Sequence, residues 1–270
     1  MDYYEELNSI INRVKVENPL VHHITNYVTA NDCANAVLAI GGSPIMADSK
    51  EEVCEIVDIA SSLVINTGTL NEISLESMII AGKYANKIGV PIVLDPVGVN
   101  ATLFRQRSVV RLMNEIDFAV VRGNLSEIKT ILNMETSSKG VDSLDKEIDQ
   151  EFVARNFVDK YKNIVCISGK LDYIGCKNGI MVIDNGTNLL KKVTGTGCMT
   201  TSLIACYLSL AKDYKYAVLL GSLSMDLAGE IAQERLKDDD GIGTFKKNIF
   251  DAIYNFKIDD IKKRGKIYER

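Results

Sequence analysis

The sequence predicts an α/β protein, with a mostly parallel central sheet flanked by helices on both faces and a helical C-terminal part. Two observations carry this. Four short, β-branched runs, "SSLVIN" (61–66), "PIVLD" (91–95), "DFAVV" (117–121) and "NIVCIS" (163–168), are apolar throughout, as strands buried on both faces of a parallel sheet tend to be. Between them lie longer stretches of helical period, and strand–helix alternation implies right-handed crossovers with helices covering the sheet.

The elements follow in order. The N-terminus, "MDYYEELNSI", is acidic and amphipathic, unlike the basic-then-apolar layout of a signal peptide. Helical patterns at 29–40 and 50–59 precede the first of the four strands, and those at 71–88, 102–115, 124–134 and 148–161 lie among the other three. "LDYIGC" (171–176) and "GIMVID" (179–184), joined by Lys177-Asn178, have the spacing of an antiparallel hairpin at a sheet edge. Beyond them helices are expected at 197–211, 213–235 and 242–257, with the polar loop "KDDDGIGTF" (237–245) across the last junction. No internal repeat and no Pro/Gly/Ser-rich linker interrupts the pattern, so residues 1–270 read as one domain.

Composition narrows the function classes. Hydrophobic content of 46% and charged content of 25% are those of an ordinary globular protein. A chain of 270 residues buries roughly 75% of the surface its unfolded form exposes, so its core needs no disulfides. The net charge of −5 argues against a nucleic-acid partner, and the basic end from Lys262, "KKRGKIYER", reads as a solvated tail. No run reaches about 18 uninterrupted apolar residues, so no membrane span is expected. The six cysteines form no C-x-x-C pair, and the only histidines, His22 and His23, stand far from any of them in sequence, so zinc-site spacing is missing. The expected location is a reducing cytoplasm.

In open α/β sheets ligands bind outside the carboxyl ends of the strands. Each of the four strands is followed there by small, hydroxyl or charged residues: Thr67-Gly68-Thr69; Asp95 before Pro96-Val97-Gly98; Arg122-Gly123-Asn124; and Ser168-Gly169-Lys170. Turn chemistry supplies some of these, but four such ends point to a shared crevice. Asp95 reads equally as a turn opener and as a carboxylate for hydrated Mg²⁺. Asn124 with Glu127 three residues on is a capping box, while Arg122 just before that helix makes the spot attractive to phosphate. Upstream, "VHHITNYVTANDCANAVLAIGGSPIMADS" is rich in His, Asn and Thr. His22 and His23 read as an exposed loop pair, Asn26 as a pocket residue, and Met46 as core.

The sharpest local signal is "VTGTGCMTT", where Gly195-Thr196-Gly197 opens directly into an apolar helix. Glycines let backbone N–H groups approach a ligand, and the helix offers its positive end. It is neither a Walker A loop nor a dinucleotide fingerprint. Cys198 stands where phosphoryl-transfer loops usually carry a carboxylate, and a thiol at a helix N-terminus is expected to be more acidic than usual.

Together, "NYVTANDCANAVLAIGGSPIMAD", "INTGTL", "PIVLDPVGVNAT", "VRGNLSEI" and "VTGTGCMTT" resemble the hydroxyethylthiazole kinase family of the ribokinase-like superfamily, in the family's order and over about residues 18–250. The resemblance implies transfer of the ATP γ-phosphate to the hydroxyl of 4-methyl-5-(2-hydroxyethyl)thiazole, with Mg²⁺, in thiamine biosynthesis and salvage. It implies homotrimers with the thiazole site at a subunit interface. It maps thiazole contacts onto Met46 and Gly195, with Asn26 and Gly68 beside them, and ATP contacts onto Arg122 and Ser168, with Thr194 near the phosphates. Asp95 and Glu127 would organise Mg²⁺, and Cys198 would act as a modest base or orient the alcohol. Rival readings are a pyrimidine-alcohol kinase, an ATP-dependent dehydratase of hydrated nicotinamide cofactors, and a non-enzymatic binding protein.

Overall fold

The structure is a computed structural model that describes residues 3–134 and 143–270. Helix α1 (Tyr3–Glu17) leads into β1 (Leu20–Ile24), α2 (Ala30–Ile40), β2 (Ser43–Met46), α3 (Val53–Ile59), β3 (Ser62–Asn66), α4 (Glu72–Ile88) and β4 (Ile92–Asp95). Next come α5 (Leu103–Glu115), β5 (Val120–Asn124), α6 (Leu125–Ile131), α7 (Ser143–Tyr161), β6 (Ile164–Ser168), β7 (Asp172–Cys176) and β8 (Gly179–Ile183). A 3₁₀ turn (Asn188–Lys192) precedes α8 (Thr196–Leu208), α9 (Tyr214–Glu234), α10 (Ile242–Tyr254), α11 (Ile258–Arg264) and β9 (Ile267–Glu269).

The sheet runs β2-β1-β3-β4-β5-β6-β7-β8-β9. β1 to β6 pair in parallel, and β7, β8 and β9 continue antiparallel. Alternation along each strand divides the apolar residues between two faces. Val21, Val64, Val93, Val120 and Cys166 pack with α1, α2, α8, α9 and α10. Leu63, Ile65, Ile92, Leu94, Val121 and Val165 pack with α3 to α7. Both faces are thus buried, which is why these strands read as unbroken apolar runs.

Three strands escape the periodicity reading. β1 is "LVHHI": its histidines, expected on an exposed loop, are 0% and 1% exposed. His22 Nε2 donates to the Ala47 carbonyl at 2.7 Å, and His23 lies 3.0 Å from the Val21 carbonyl and 3.1 Å from Ser202 Oγ. Burial holds the His23 imidazole down at about 4, so it is neutral in the fold. β2 is only four residues and contains Pro44, which suits its place on the sheet edge. β9 pairs with β8, so part of the basic end taken for a solvated tail is sheet. The expected strand 117–121 is also displaced: β5 begins at Val120, so Arg122, Gly123 and Asn124 lie within it. Of the polar insert at 134–147, residues 135–142 lie outside the described residues.

The order places β1 between β2 and β3, so the chain leaves β1 toward one sheet edge and returns on its other side. Such a reversal splays the connecting loops apart and opens a crevice above the carboxyl ends of the strands. The C-terminal residues of β1, β3 and β4 and the start of α8 meet there.

Candidate active site

Neighbouring parallel strands deliver the first two groups. Asn66 ends β3 and Asp95 ends β4, and the two are register partners. Asn66 Nδ2 donates to Asp95 Oδ2 at 2.9 Å, and Thr201 Oγ1 on α8 donates to the same oxygen, also at 2.9 Å. Asp95 Oδ1 makes no hydrogen bond to the described residues. Asp95 is 3% exposed. Burial, opposed by Arg122 and reinforced by the Glu127 charge, pushes its carboxyl up to about 6.

Cys198 sits in the first turn of α8, facing the same strand ends. Its Sγ accepts from Asn66 Nδ2 at 3.3 Å and from Asn26 Nδ2 at 3.5 Å. Asn26 follows β1 and is held by Asn66 Oδ1 (2.9 Å), while its own Oδ1 accepts from the backbone and hydroxyl of Thr29, both at 3.0 Å. The expected acidic thiol is not what results. Burial and the Asp95 carboxylate raise the Cys198 pKa, and hydrogen bonding with Thr29, Asn66 and Asn26 only partly offsets them. The helix N-terminus does not prevail because the sulfur is enclosed beside an anion. Cys198 is therefore a thiol near neutral pH.

Two glycines shape the walls. Gly195, the N-cap of α8, has φ +89°, and a Cβ there would stand 2.6 Å from Thr29 Cγ2. No side chain caps this helix, so its first N–H groups are left without a side-chain acceptor. At Gly68 a Cβ would meet the Asn26 side chain at 2.8 Å. The Thr67–Gly68 loop is further pinned by Arg105, which donates to the carbonyls of Thr67, Val97 (3.0 Å) and Gly68 (2.7 Å).

Arg122 and Glu127 form the second half. Arg122 is 8% exposed, and its Nε has no acceptor. A Cβ on Gly197 would lie 3.3 Å from Arg122 Nη1, which puts the guanidinium under the α8 loop. Burial works against its charge, but the net shift is upward, with the Asp95 and Asp172 carboxylates among the groups that favour the cation, so Arg122 stays protonated. A buried guanidinium without a hydrogen-bonded anion is one waiting for a ligand's oxygens. Glu127 accepts from Gly98 N (2.9 Å) and Asn124 N (2.8 Å), and Asn124 caps Glu127 N in return. The capping box of the sequence is real, and it also fastens the loop after Asp95.

Among the expected site residues, Asn26, Gly68, Asp95, Gly195 and Cys198 converge directly, with Arg122 and Glu127 beside them. Ser168 pairs in register with Asn124, its Oγ 3.5 Å from the Gly123 carbonyl, on the Arg122 side. Met46, read from its residue type as core, is 38% exposed at the end of β2. Thr194 is exposed in the loop before α8. Sequence reasoning missed Asn66, Thr201, Thr29 and Arg105. Asn66 had a signal: a polar residue ending an apolar strand, in step with Asp95.

A sheet with its reversal at β1, an uncapped glycine-opened helix and a buried arginine suit an α/β enzyme that handles a phosphorylated ligand. The comparisons agree. The family model described as "HK: Hydroxyethylthiazole kinase family" matches residues 11–259, so the chain belongs to that family. The hydroxyethylthiazole kinase of Alkaliphilus oremlandii is 47% identical over 270 residues, covering 100% of both chains. That of Alkaliphilus metalliredigens is 50% identical over 263 residues and 97% of both. The solved hydroxyethylthiazole kinase structure from Pyrococcus horikoshii is 32% identical, superimposes with a TM-score of 0.89, and is matched over 98% of this chain and 99% of its own. A Bacillus subtilis NAD(P)H-hydrate dehydratase, at 11% identity and TM-score 0.59, shares the fold.

Proposed function

We propose that this chain phosphorylates 4-methyl-5-(2-hydroxyethyl)thiazole with ATP, as a step of thiamine biosynthesis and salvage. The observation that carries the chemistry is the joining of Asn26, Asn66, Cys198 and Asp95 into one hydrogen-bonded set at the open N-terminus of α8. The alcohol oxygen attacks the γ-phosphorus, the bond to the bridging oxygen of ADP breaks, and the alcohol proton leaves late to a phosphoryl oxygen or water. Transfer of this kind asks for positioning and charge stabilisation more than for a strong base. That suits Cys198, whose raised pKa makes it an orienting thiol.

Thiazole would lie between Asn26, Gly68, Gly195 and Met46. Arg122, Ser168 and Thr194 would serve ATP, with Arg122 and the α8 N–H groups taking the charge of the transferred group. The donor set fits Mg²⁺. Asp95 presents Oδ1 without a hydrogen bond to the described residues, and Glu127 lies within its electrostatic reach. Mg²⁺, which binds through one or two carboxylates and keeps several waters of its own, would supply neutralisation of the phosphate charge. Tyr27 (81%), Val28 (61%), Leu38 (57%) and Met46 (38%) leave apolar side chains exposed, which supports a homotrimer with sites at its interfaces. All six cysteines are free, which suits a reducing cytoplasm, and residues 1–270 would act as one domain.

The test is an ADP-release assay with Mg·ATP and either hydroxyethylthiazole or a pyrimidine alcohol as acceptor. Release with the thiazole alone is expected. Release only with the pyrimidine alcohol, or with neither, overturns the proposal.

A further inference from the structure

We infer that Asn66 is a positioning residue of the transfer reaction, fixing the relative placement of the Cys198 thiol and the Asp95 carboxylate with one amide group. This rests on the kinase reading above and deepens it.

The geometry leaves the amide no freedom. Oδ1 accepts from Gly68 N and Asn26 Nδ2, both at 2.9 Å, while Nδ2 donates to Asp95 Oδ2 at 2.9 Å and Cys198 Sγ at 3.3 Å. Because a backbone N–H can only donate, the atom facing Gly68 must be the oxygen, so the amide cannot be flipped. All of its hydrogen-bonding capacity is spent, and the residue is 1% exposed. Burying a fully committed amide between a carboxylate and a thiol is costly unless the arrangement itself is needed.

Each contact has a consequence for the reaction. With Asn66 and Thr201 both on Asp95 Oδ2, the carboxylate cannot rotate, and Oδ1 is the oxygen left for the phosphate side. With Asn66 and Asn26 both donating to Cys198 Sγ, the sulfur's acceptor capacity is used. Its own S–H is then the one donor left to the sulfur, shared between the Thr29 hydroxyl and the substrate oxygen. The Gly68 contact ties the same amide to the wall of the acceptor pocket. One side chain thus sets the distance between the acceptor's alcohol and the phosphoryl group, the quantity on which in-line transfer depends. Its effect therefore belongs in kcat rather than in substrate binding.

The experiment is a double-mutant cycle on the full chain, using Asn66→Asp and Cys198→Ala, with kcat and KM for hydroxyethylthiazole measured at saturating Mg·ATP. Asn66→Asp keeps the acceptor oxygen toward Gly68 and Asn26 and removes both donated bonds. We expect kcat to fall roughly tenfold or more, as for loss of hydrogen bonds to charged or polarised groups, with thiazole KM within about threefold of wild type. In the Cys198→Ala background the same substitution should cost roughly fivefold less, above the roughly twofold scatter of independent sites. A full, multiplicative loss in that background, or a KM rise at unchanged kcat, overturns the inference, since a merely structural asparagine behaves that way. If Asn66→Asp shows no cooperative melting transition, Asn66→Ser, which adds no charge, is taken through the same cycle under the same criterion. Wild-type turnover in parallel separates the two claims: an inactive wild type sinks the kinase reading, and an active one with independent effects sinks only the role of Asn66.

Discussion

Replacing Asp95 by Asn removes an ionisable group from the buried end of β4 while keeping its shape. The carboxyl titrates at about 6 against an ordinary value of 3.8. At about 1.4 kcal/mol per unit, ionising it in the folded protein costs about 3 kcal/mol more than in the unfolded chain. Since the folded value is the higher one, the folded state holds the proton more tightly. Stability from this group is complete below pH 3.8, declines as the pH rises to about 6, and stays lost above it. Asparagine retains an oxygen for Asn66 Nδ2 and Thr201 Oγ1, and the bonds these make to the carboxylate are already contained in the value of about 6, so the net gain near neutrality is about 3 kcal/mol. The assay is the melting temperature of ligand-free, divalent-free protein at high and low pH. At about pH 8 the variant should melt about 5 °C above wild type, and the gap should close near pH 4, while turnover falls roughly a hundredfold or more. A variant that melts at or below wild type at the higher pH, or whose advantage persists at the lower one, refutes the reasoning.

Further outcomes follow from the same geometry. Cys198→Asp should keep or raise turnover, because Asn26 and Asn66 already donate to the atom at this position; Cys198→Ala should slow it roughly tenfold or more without unfolding the protein, and a normal rate in the Ala variant removes the thiol from the mechanism. Arg122→Ala should raise KM for ATP roughly tenfold to a hundredfold, the worth of a charge-assisted contact, and leave thiazole KM nearly unchanged; steady-state kinetics in each substrate separate the two. Gly195→Ala combines a left-handed φ with a 2.6 Å approach to Thr29 Cγ2, so it should cost about 2 kcal/mol or more in a denaturant melt and abolish most activity. Gly68→Ala should push Asn26 aside and raise thiazole KM while the melting transition moves little; an unchanged KM would remove Gly68 from the acceptor wall.

What the sequence disclosed depended on the kind of signal each element carries. β3, β4 and β6 were legible because burial on both faces makes them continuous apolar runs, and α4, α8 and α9 because their period is long and their ends are marked by Asn71, Gly195 and Asp213. β1 was not, because two histidines interrupt its run and only the tertiary partners Ala47 and Ser202, with the neighbouring Val21 carbonyl, make them tolerable inside. The strand carrying Arg122 was read three residues early, since "DFAVV" has the better composition although pairing begins at Val120. At the site, Asp95, Gly195 and Cys198 stood out by their position at strand or helix ends. Asn66 and Thr201 did not, because their meaning arises from register across β3 and β4 and from the face α8 turns toward them. The thiol's acidity was misjudged for a related reason: a helix N-terminus is visible in sequence, whereas enclosure beside Asp95 is not.

In the proposed reaction the γ-phosphate of ATP ends on the hydroxyl of the thiazole alcohol. Phosphorus NMR of the protein incubated with Mg·ATP and 4-methyl-5-(2-hydroxyethyl)thiazole follows that phosphorus directly. A phosphate monoester of the thiazole growing in step with ADP is expected, at a rate roughly a hundredfold or more lower in the Asp95→Asn variant. Inorganic phosphate in place of the monoester, or ATP left intact, would contradict it.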